Sequence, residues 1–354
     1  MTTRAAATRA RLRCGHGHAG GHHGEILQGA FLDETGQPCL GLVTLPIAGI
    51  GTHAEFVPWP HAPSELIAVE PGDKTKAVLA ATLAVRECAA LAGGPACGGR
   101  LRLVSDIPVG LGMGSSSSDV IATIRAVAAS FDIELPSLVI ARLAVAAEQA
   151  SDPLMLDSRP LLFAQRQGRV LEVLGDTLPS TVVVGCTTGG AKPVETVDVP
   201  ADVYRDEDVR GFAMLRAALR QAITTGDVEL LGQVSTESAR RHQRVLGKDE
   251  LDTLIDIAAL AGGVGVQVAH SGNVAGLLFD PRAHDLPRRL RRCVRALNDA
   301  GIAVSRLFRT HSPSGRPGAI PSGGKEPDHG RPHRGLDRPT RPGPGRRWPH
   351  LPAL

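Results

Sequence analysis

The sequence predicts an α+β protein built as two lobes, followed by a tail that does not fold. Three observations lead there. Short apolar segments with strand-like alternation crowd residues 25–57 and return at 100–105. Long Ala-rich segments with helical period fill the middle of the chain, and a strand–turn–strand–helix–strand run closes the body near residue 308. Strands bunched ahead of helices argue against an alternating βαβ fold.

Residues 25–32, 39–45 and 51–57 read as strands, separated by turn residues (Asp33-Glu34-Thr35-Gly36, Pro46, Gly49). Residues 74–91 have helical periodicity, and 100–105 alternate as a strand. The segments 116–131 and 136–150 read as two buried, Ala-rich helices. Strands follow at 160–164, 170–174 and 181–185, and helices at 206–224, 228–246 and 249–261. Two short apolar strands, 265–269 and 274–279, flank a Ser-Gly turn. A basic amphipathic helix at 286–300 and a strand at 302–308 end the body. The organisation expected is a flexible extension at 1–13, one lobe at 14–165, a second at 166–310 and a disordered tail at 311–354.

Composition sets the outer limits. Of 354 residues 42% are hydrophobic but only 3% aromatic, so the core has to be built from Ala, Val, Leu and Ile. No apolar run approaches the ~20 residues of a spanning helix, so no membrane partner is expected. The start, MTTRAAATRARLR, lacks the apolar stretch of a secretory signal and reads as a frayed extension. Six scattered cysteines without a CxxC pair fit a reducing, cytoplasmic setting. The net charge of +3 divides into +5 on residues 311–354 and −2 on the rest, so the body offers no electrostatic case for nucleic acid. The tail holds ten of the 26 prolines and eight of the 41 glycines and shows no apolar period.

The most informative string is Pro108-Val109-Gly110-Leu111-Gly112-Met113-Gly114-Ser115-Ser116-Ser117-Ser118, set between a predicted strand and a predicted helix. Glycine at every second position lets backbone amides close around an anion. The serines are expected to supply the helix N-cap and hydroxyls, and the helix terminus adds partial positive charge. A Ser hydroxyl there could also ligate Mg²⁺. A flexible Gly/Ser linker would not be set between a strand and an apolar helix. The string is neither a GxxxxGK[ST] loop nor a good GxGxxG fingerprint, because four serines follow the glycines.

This string resembles motif 2 of the GHMP kinases, usually written PxxxGLGSSAA. Gly24-Glu25-Ile26-Leu27-Gln28-Gly29 is similar to the GEL(V/L)QG opening of that family's L-threonine kinase branch, which serves cobalamin biosynthesis. The run from Gly265 to Leu278, with Ala269-His270-Ser271-Gly272 at its centre, looks like the branch's AHSGxxxGLL motif. The resemblance covers nearly all the body and none of the tail. It implies a ribosomal protein S5 domain 2-like N-terminal lobe, a ferredoxin-like C-terminal lobe, and ATP between them. It also implies a kinase acting on a hydroxyl of L-threonine, a related hydroxy amino acid or a specialised metabolite. Homodimers occur in the family, which is analogy only.

Carried over residue by residue, the resemblance places the triphosphate on Pro108, Gly110, Gly112, Gly114 and Ser115 to Ser118. Mg²⁺ falls to Ser116 and Glu148. The branch has EPTD where this chain has Glu148-Gln149-Ala150-Ser151-Asp152, so the carboxylate separation differs by one residue. Asp152 becomes the candidate base or the residue that orients the acceptor hydroxyl, with Ser116 beside it as the second catalytic candidate. A helix end followed by an Asp-Pro turn explains the same two acids without function. No Lys precedes Lys74, although some relatives use an early one near the phosphates; Arg13 is a speculative substitute. The altered acidic stretch and the missing Lys keep a second function open, a non-catalytic nucleotide or metabolite sensor on the same fold.

The segment from Cys14 to His23 holds one Cys and four His. Its His-Gly alternation matches no structural zinc pattern, and the competing reading is a Gly-rich approach to the first strand. Glu25, Gln28, His270, Ser271 and Gly272 are the candidate substrate contacts, His270 serving equally well as a turn residue.

Overall fold

The computed structural model describes residues 12–156, 159–189 and 203–310. The tail expected at 311–354 and the extension up to residue 11 lie outside the described residues.

The first half is a sheet with helices on one face. Strands β1 (Gly15–Leu32) and β2 (Pro38–Trp59) form a long antiparallel hairpin. β3 (Ile67–Glu70) leads through helix α1 (Thr75–Ala92) to β4 (Gly98–Ser105), which lies parallel to β3 and antiparallel to β2. Helices α2 (Ser115–Ser130) and α3 (Ser137–Glu148) follow, then the small hairpin β5 (Leu161–Ala164) and β6 (Arg169–Val173). The second half runs β7 (Val182–Thr187), α4 (Asp206–Thr225), α5 (Val228–His242), α6 (Leu251–Ala261), β8 (Gly265–Val268), β9 (Val274–Phe279), α7 (Leu286–Asp299) and β10 (Ala303–Arg309). Its strands are ordered β10-β7-β9-β8 with every pair antiparallel. That order, with helices between the first and second and between the third and fourth strands, is the split-βαβ arrangement of a ferredoxin-like lobe.

Most element ends fall within one or two residues of those expected. The exceptions are larger. β1 begins at Gly15 rather than 25, and the strands expected at 39–45 and 51–57 are one continuous strand, β2, running through Pro46 and Gly49. The sequence carries no sign of β3, and α5 ends at His242 rather than 246. Glycines weaken strands, so the 15–21 run reads as a loop; here they serve packing. A Cβ on Gly15 would lie 2.1 Å from the Ala126 carbonyl oxygen, and one on Gly17 2.1 Å from that of Ala122. α2 therefore lies directly on the β1 backbone, and its own Val120, Ile121, Ile124 and Val127 are buried. An Ala-rich core needs this closeness, because small side chains fill space only when backbones approach. β3 is a four-residue edge strand with half-buried and exposed positions alternating, too short to announce itself.

Arg13 does not reach the cleft described below. Its N–H donates to the Ser130 carbonyl at 3.1 Å and its guanidinium pairs with Asp132, at the far end of α2. It is therefore no substitute for an early lysine. Leu12 packs against the first core, so the held chain begins before residue 14.

The two halves meet along β1. It pairs with β2 throughout and with β8 at one position, Glu25 opposite Val268. The β1–β2 register shifts between Gly20 and Gly21, between His22 and Glu25, and between Glu25 and Leu27. Such irregularities break strict alternation, so His22 and Glu25, three residues apart, reach the same side of the sheet.

Replacing Gly17 with Val should lower unfolding stability by about 2 kcal/mol or more, because α2 must lift away from the strand. Urea unfolding with an unchanged m-value checks this; wild-type stability would refute the close-packing account.

Candidate active site

A cleft of about 580 Å³ opens at the β1–β8 seam. The glycine loop and the first turn of α2 form one wall, residues 147–152 a second, and the turn at 270–272 a third. Gly110, Gly112 and Gly114 all take left-handed conformations, with φ of +78°, +78° and +76°. No other residue adopts that succession without strain. The loop rests on the 270–272 turn. A Cβ on Gly112 would fall 2.6 Å from the Gly272 Cα, and the Val274 N–H donates to the Leu111 carbonyl at 3.0 Å.

The N-cap of α2 is Gly114, not a serine, and no side chain caps the helix. Ser118 is drawn away from the cleft, its hydroxyl donating to the Ala19 carbonyl at 2.8 Å. Ser115, Ser116 and Ser117 line the cleft. With no side chain capping it, the first turn presents its N–H groups to an anion. Of the anion-binding residues expected, Gly110, Gly112, Gly114 and Ser115 to Ser117 line the cleft, and Pro108 and Ser118 do not.

Ser116 Oγ donates to Glu148 Oε2 at 2.8 Å. Glu148 is the last residue of α3, and Gln149 closes the helix with φ of +68°. The helix has thus ended before Asp152, and the turn brings both acids to the cleft without a shared helical face. Burial pushes the Glu148 carboxyl up to about 7, against the hydrogen bond from Ser116. Its Oε1 is buried with no hydrogen-bond partner. A buried carboxylate with an orphaned oxygen beside a hydroxyl suits a small divalent cation, which would supply the missing charge.

The Asp152 N–H donates to Ser117 Oγ at 3.1 Å, and Asp152 Oδ2 lies 3.1 Å from His22 Nε2. His22 Nδ1 lies 3.6 Å from Glu25 Oε1. Burial alone would lower the His22 pKa, but Asp152 and then Glu25 overcome it and raise it to about 9. Burial opposes ionisation of Asp152 as well, yet His22 holds its carboxyl below the usual range. Glu25 is pushed up to about 8 by burial despite His22. Its Oε2 has no hydrogen-bond partner.

His270, Ser271 and Gly272 line the cleft with Glu25, whereas Gln28 lies behind it. The Gln28 amide oxygen meets His270 Nδ1 at 2.8 Å, and Gln165 Nε2 meets the other ring nitrogen at 3.2 Å. Burial lowers the His270 pKa to about 4, so the ring is neutral near pH 7. His242 stacks behind it, bonded to the His270 carbonyl at 3.2 Å and to the Tyr204 hydroxyl at 3.0 Å.

Sequence reasoning missed several groups. His22 was seen only as part of a His-Gly run; the adjacent pair His22-His23, which breaks the alternation, was the available signal. Lys74 lines the cleft and pairs with Asp119 at 2.8 Å, and Asp119 also accepts from Thr52 Oγ1 at 2.7 Å. Lys76, Gln165 and Arg166 line it too. Lys248 donates to the Gly272 carbonyl at 2.6 Å and steadies the third wall.

Comparison with known proteins fits this geometry. Residues 76–155 match the sequence model for the GHMP kinases N terminal domain. The chain is 35% identical over 215 residues to a 4-diphosphocytidyl-2-C-methyl-D-erythritol kinase of Chlorobaculum parvum, covering 60% of this chain and 71% of that protein. The chain belongs to the GHMP kinase family. Among relatives in that family, the L-threonine kinase of Citrobacter freundii is 28% identical over 199 residues, 53% of this chain and 64% of that protein. The chain thus spans less than two thirds of that enzyme. The GHMP fold is also seen in the homoserine kinase of Cytophaga hutchinsonii, with TM-score 0.57, 12% identity, and coverage of 88% of this chain and 97% of that one. The Methanococcus jannaschii mevalonate kinase superposes with TM-score 0.54 at 14% identity, covering 85% and 98%. Among the described residues no helix is long and apolar enough to cross a membrane.

The His22 pKa, raised in the folded state, sets a pH signature. Its contribution to stability should be complete below about pH 6.5 and disappear as pH rises through about 9. Urea unfolding at several pH values should show the gap between wild type and H22Q closing over that window. A gap independent of pH would mean that His22 is not charged in the fold.

Proposed function

We propose that this GHMP kinase family member transfers the γ-phosphoryl group of ATP to the hydroxyl of a small acceptor, L-threonine or a related hydroxy amino acid. The observation that carries the proposal is the opposition, across one cleft, of the glycine loop at the α2 terminus and Asp152, 3.1 Å from the His22 imidazole. Phosphoryl transfer asks a protein for charge neutralisation and positioning more than for covalent chemistry, and these two walls supply one each. The loop amides and the α2 terminus would hold the phosphates, with Lys74 and Lys76 on the same cleft. Ser116 and Glu148 would hold Mg²⁺, which when bound neutralises phosphate oxygens. Asp152 would accept a hydrogen bond from the acceptor hydroxyl and orient it in line. Its depressed pKa makes it a weak base, suited to taking the proton late in the transfer.

The acceptor end favours an amino acid. Glu25 turns an unpartnered carboxylate oxygen into a buried site, which suits an ammonium group, and Arg166 lines the same cleft. The Chlorobaculum relative supports a second acceptor, the alcohol of a cytidylyl-bearing polyol. The relatives named above are kinases, and none is a sensor.

ADP release with L-threonine, other hydroxy amino acids, mevalonate, homoserine and polyol acceptors tests the proposal. The hydroxy amino acids should give the highest kcat/KM, and no ADP release with any acceptor would refute it. S116A and D152N should each lower kcat about tenfold or more, and wild-type turnover in either would remove that residue from the proposed machinery. Deleting residues 311–354 should leave turnover unchanged.

A further inference from the structure

The face of the β1–β2 hairpin turned away from α2 carries a set of side chains that the kinase cleft does not use. Gly15 and Gly17 point at α2, so Cys14, His16 and His18 share the opposite, exposed face. The pairing register puts His16 opposite Glu55 and His18 opposite His53. Cys14 Sγ lies 3.8 Å from His16 Nε2, and the ligand atoms of Cys14, His16 and Glu55 all lie within 4.8 Å of one another. Zinc–sulfur and zinc–nitrogen bonds of ~2.3 and ~2.0 Å at a tetrahedral angle separate the two donors by about 3.5 Å. The pair found here is therefore nearly at that spacing before any metal binds.

We propose that Cys14, His16 and Glu55 form a surface zinc site that clips the start of β1 to β2, with water completing the tetrahedron. The chemistry is that of a borderline metal: one thiolate, one imidazole and one carboxylate, a set that hard cations such as Mg²⁺ do not favour. The third ligand comes from a different strand, which the sequence spacing alone could not supply. The Glu55 carboxylate beside the Cys14 sulfur is a like-charge pairing once the thiol ionises, and a divalent cation relieves it. It accordingly adds to burial in holding the Cys14 thiol above its ordinary value, with Arg100 opposing. Binding releases the thiol proton to solvent, so affinity should rise with pH. Cys14 is exposed while the other five cysteines are buried, which makes a thiolate–metal signal specific to this site.

The test is a Co²⁺ titration of the full chain without nucleotide, under a non-thiol reductant, followed by Zn²⁺ displacement. The wild-type protein should develop a thiolate-to-cobalt charge-transfer band that one equivalent of Zn²⁺ abolishes. C14S should lack the band, and H16A and E55Q should weaken binding about tenfold or more. H22Q should leave the band unchanged, separating this site from the buried His22–Glu25–Asp152 group in the cleft. Melting curves without metal check that each variant folds. No band in the wild type, a band surviving in C14S, or wild-type affinity in both H16A and E55Q would overturn the proposal.

Discussion

The contact on which the cleft depends is one between two backbones. Gly112 lies against Gly272 so closely that a side chain on either would collide with the other's main chain. This contact fixes the spacing between the phosphate-type loop of the first half and the 270–272 turn of the second. The Val274 N–H, donating to the Leu111 carbonyl, ties the two surfaces together, and Lys248 braces the turn through the Gly272 carbonyl. Gly114 repeats the theme one step along the loop, since a Cβ there would meet the His22 ring at 2.6 Å. Side chains in the cleft can be aimed with precision because the frame that carries them leaves no room for alternatives.

The same frame explains the electrostatics. His22 is buried between Asp152 and Glu25, and charge on the ring is tolerated chiefly because of Asp152. Asp152 stays ionised while Glu25 and Glu148, with no such partner at hydrogen-bond distance, are driven toward neutrality. Acids within one cleft are thus pushed in opposite directions by environment alone. The orphaned oxygens on Glu25 and Glu148 mark the positions where incoming positive charge would be rewarded.

Much of this was legible in the sequence where local chemistry dictates structure. The glycine string announces itself because only glycine suits that backbone, whereas Ser116, Glu148 and Asp152 are singled out by the family resemblance. The succession of strands and helices from β7 to β10 is readable from their periods, but its ferredoxin-like arrangement comes only with the family resemblance. What stayed hidden depends on contacts distant in sequence. The first ten residues of β1 look like a loop until α2 is laid on them. The shifted register that turns His22 into the cleft, and the glycine rather than serine cap of α2, have no local signature. Arg13 looked available as a charge because nothing nearby in sequence shows that Ser130 and Asp132 take it.

Glu25 is both a cleft residue and the position at which β1 pairs with β8. Its main chain stitches the two halves of the sheet while its carboxylate faces the space between them. A molecule gripping that carboxylate would bear directly on the residue that fastens one half to the other.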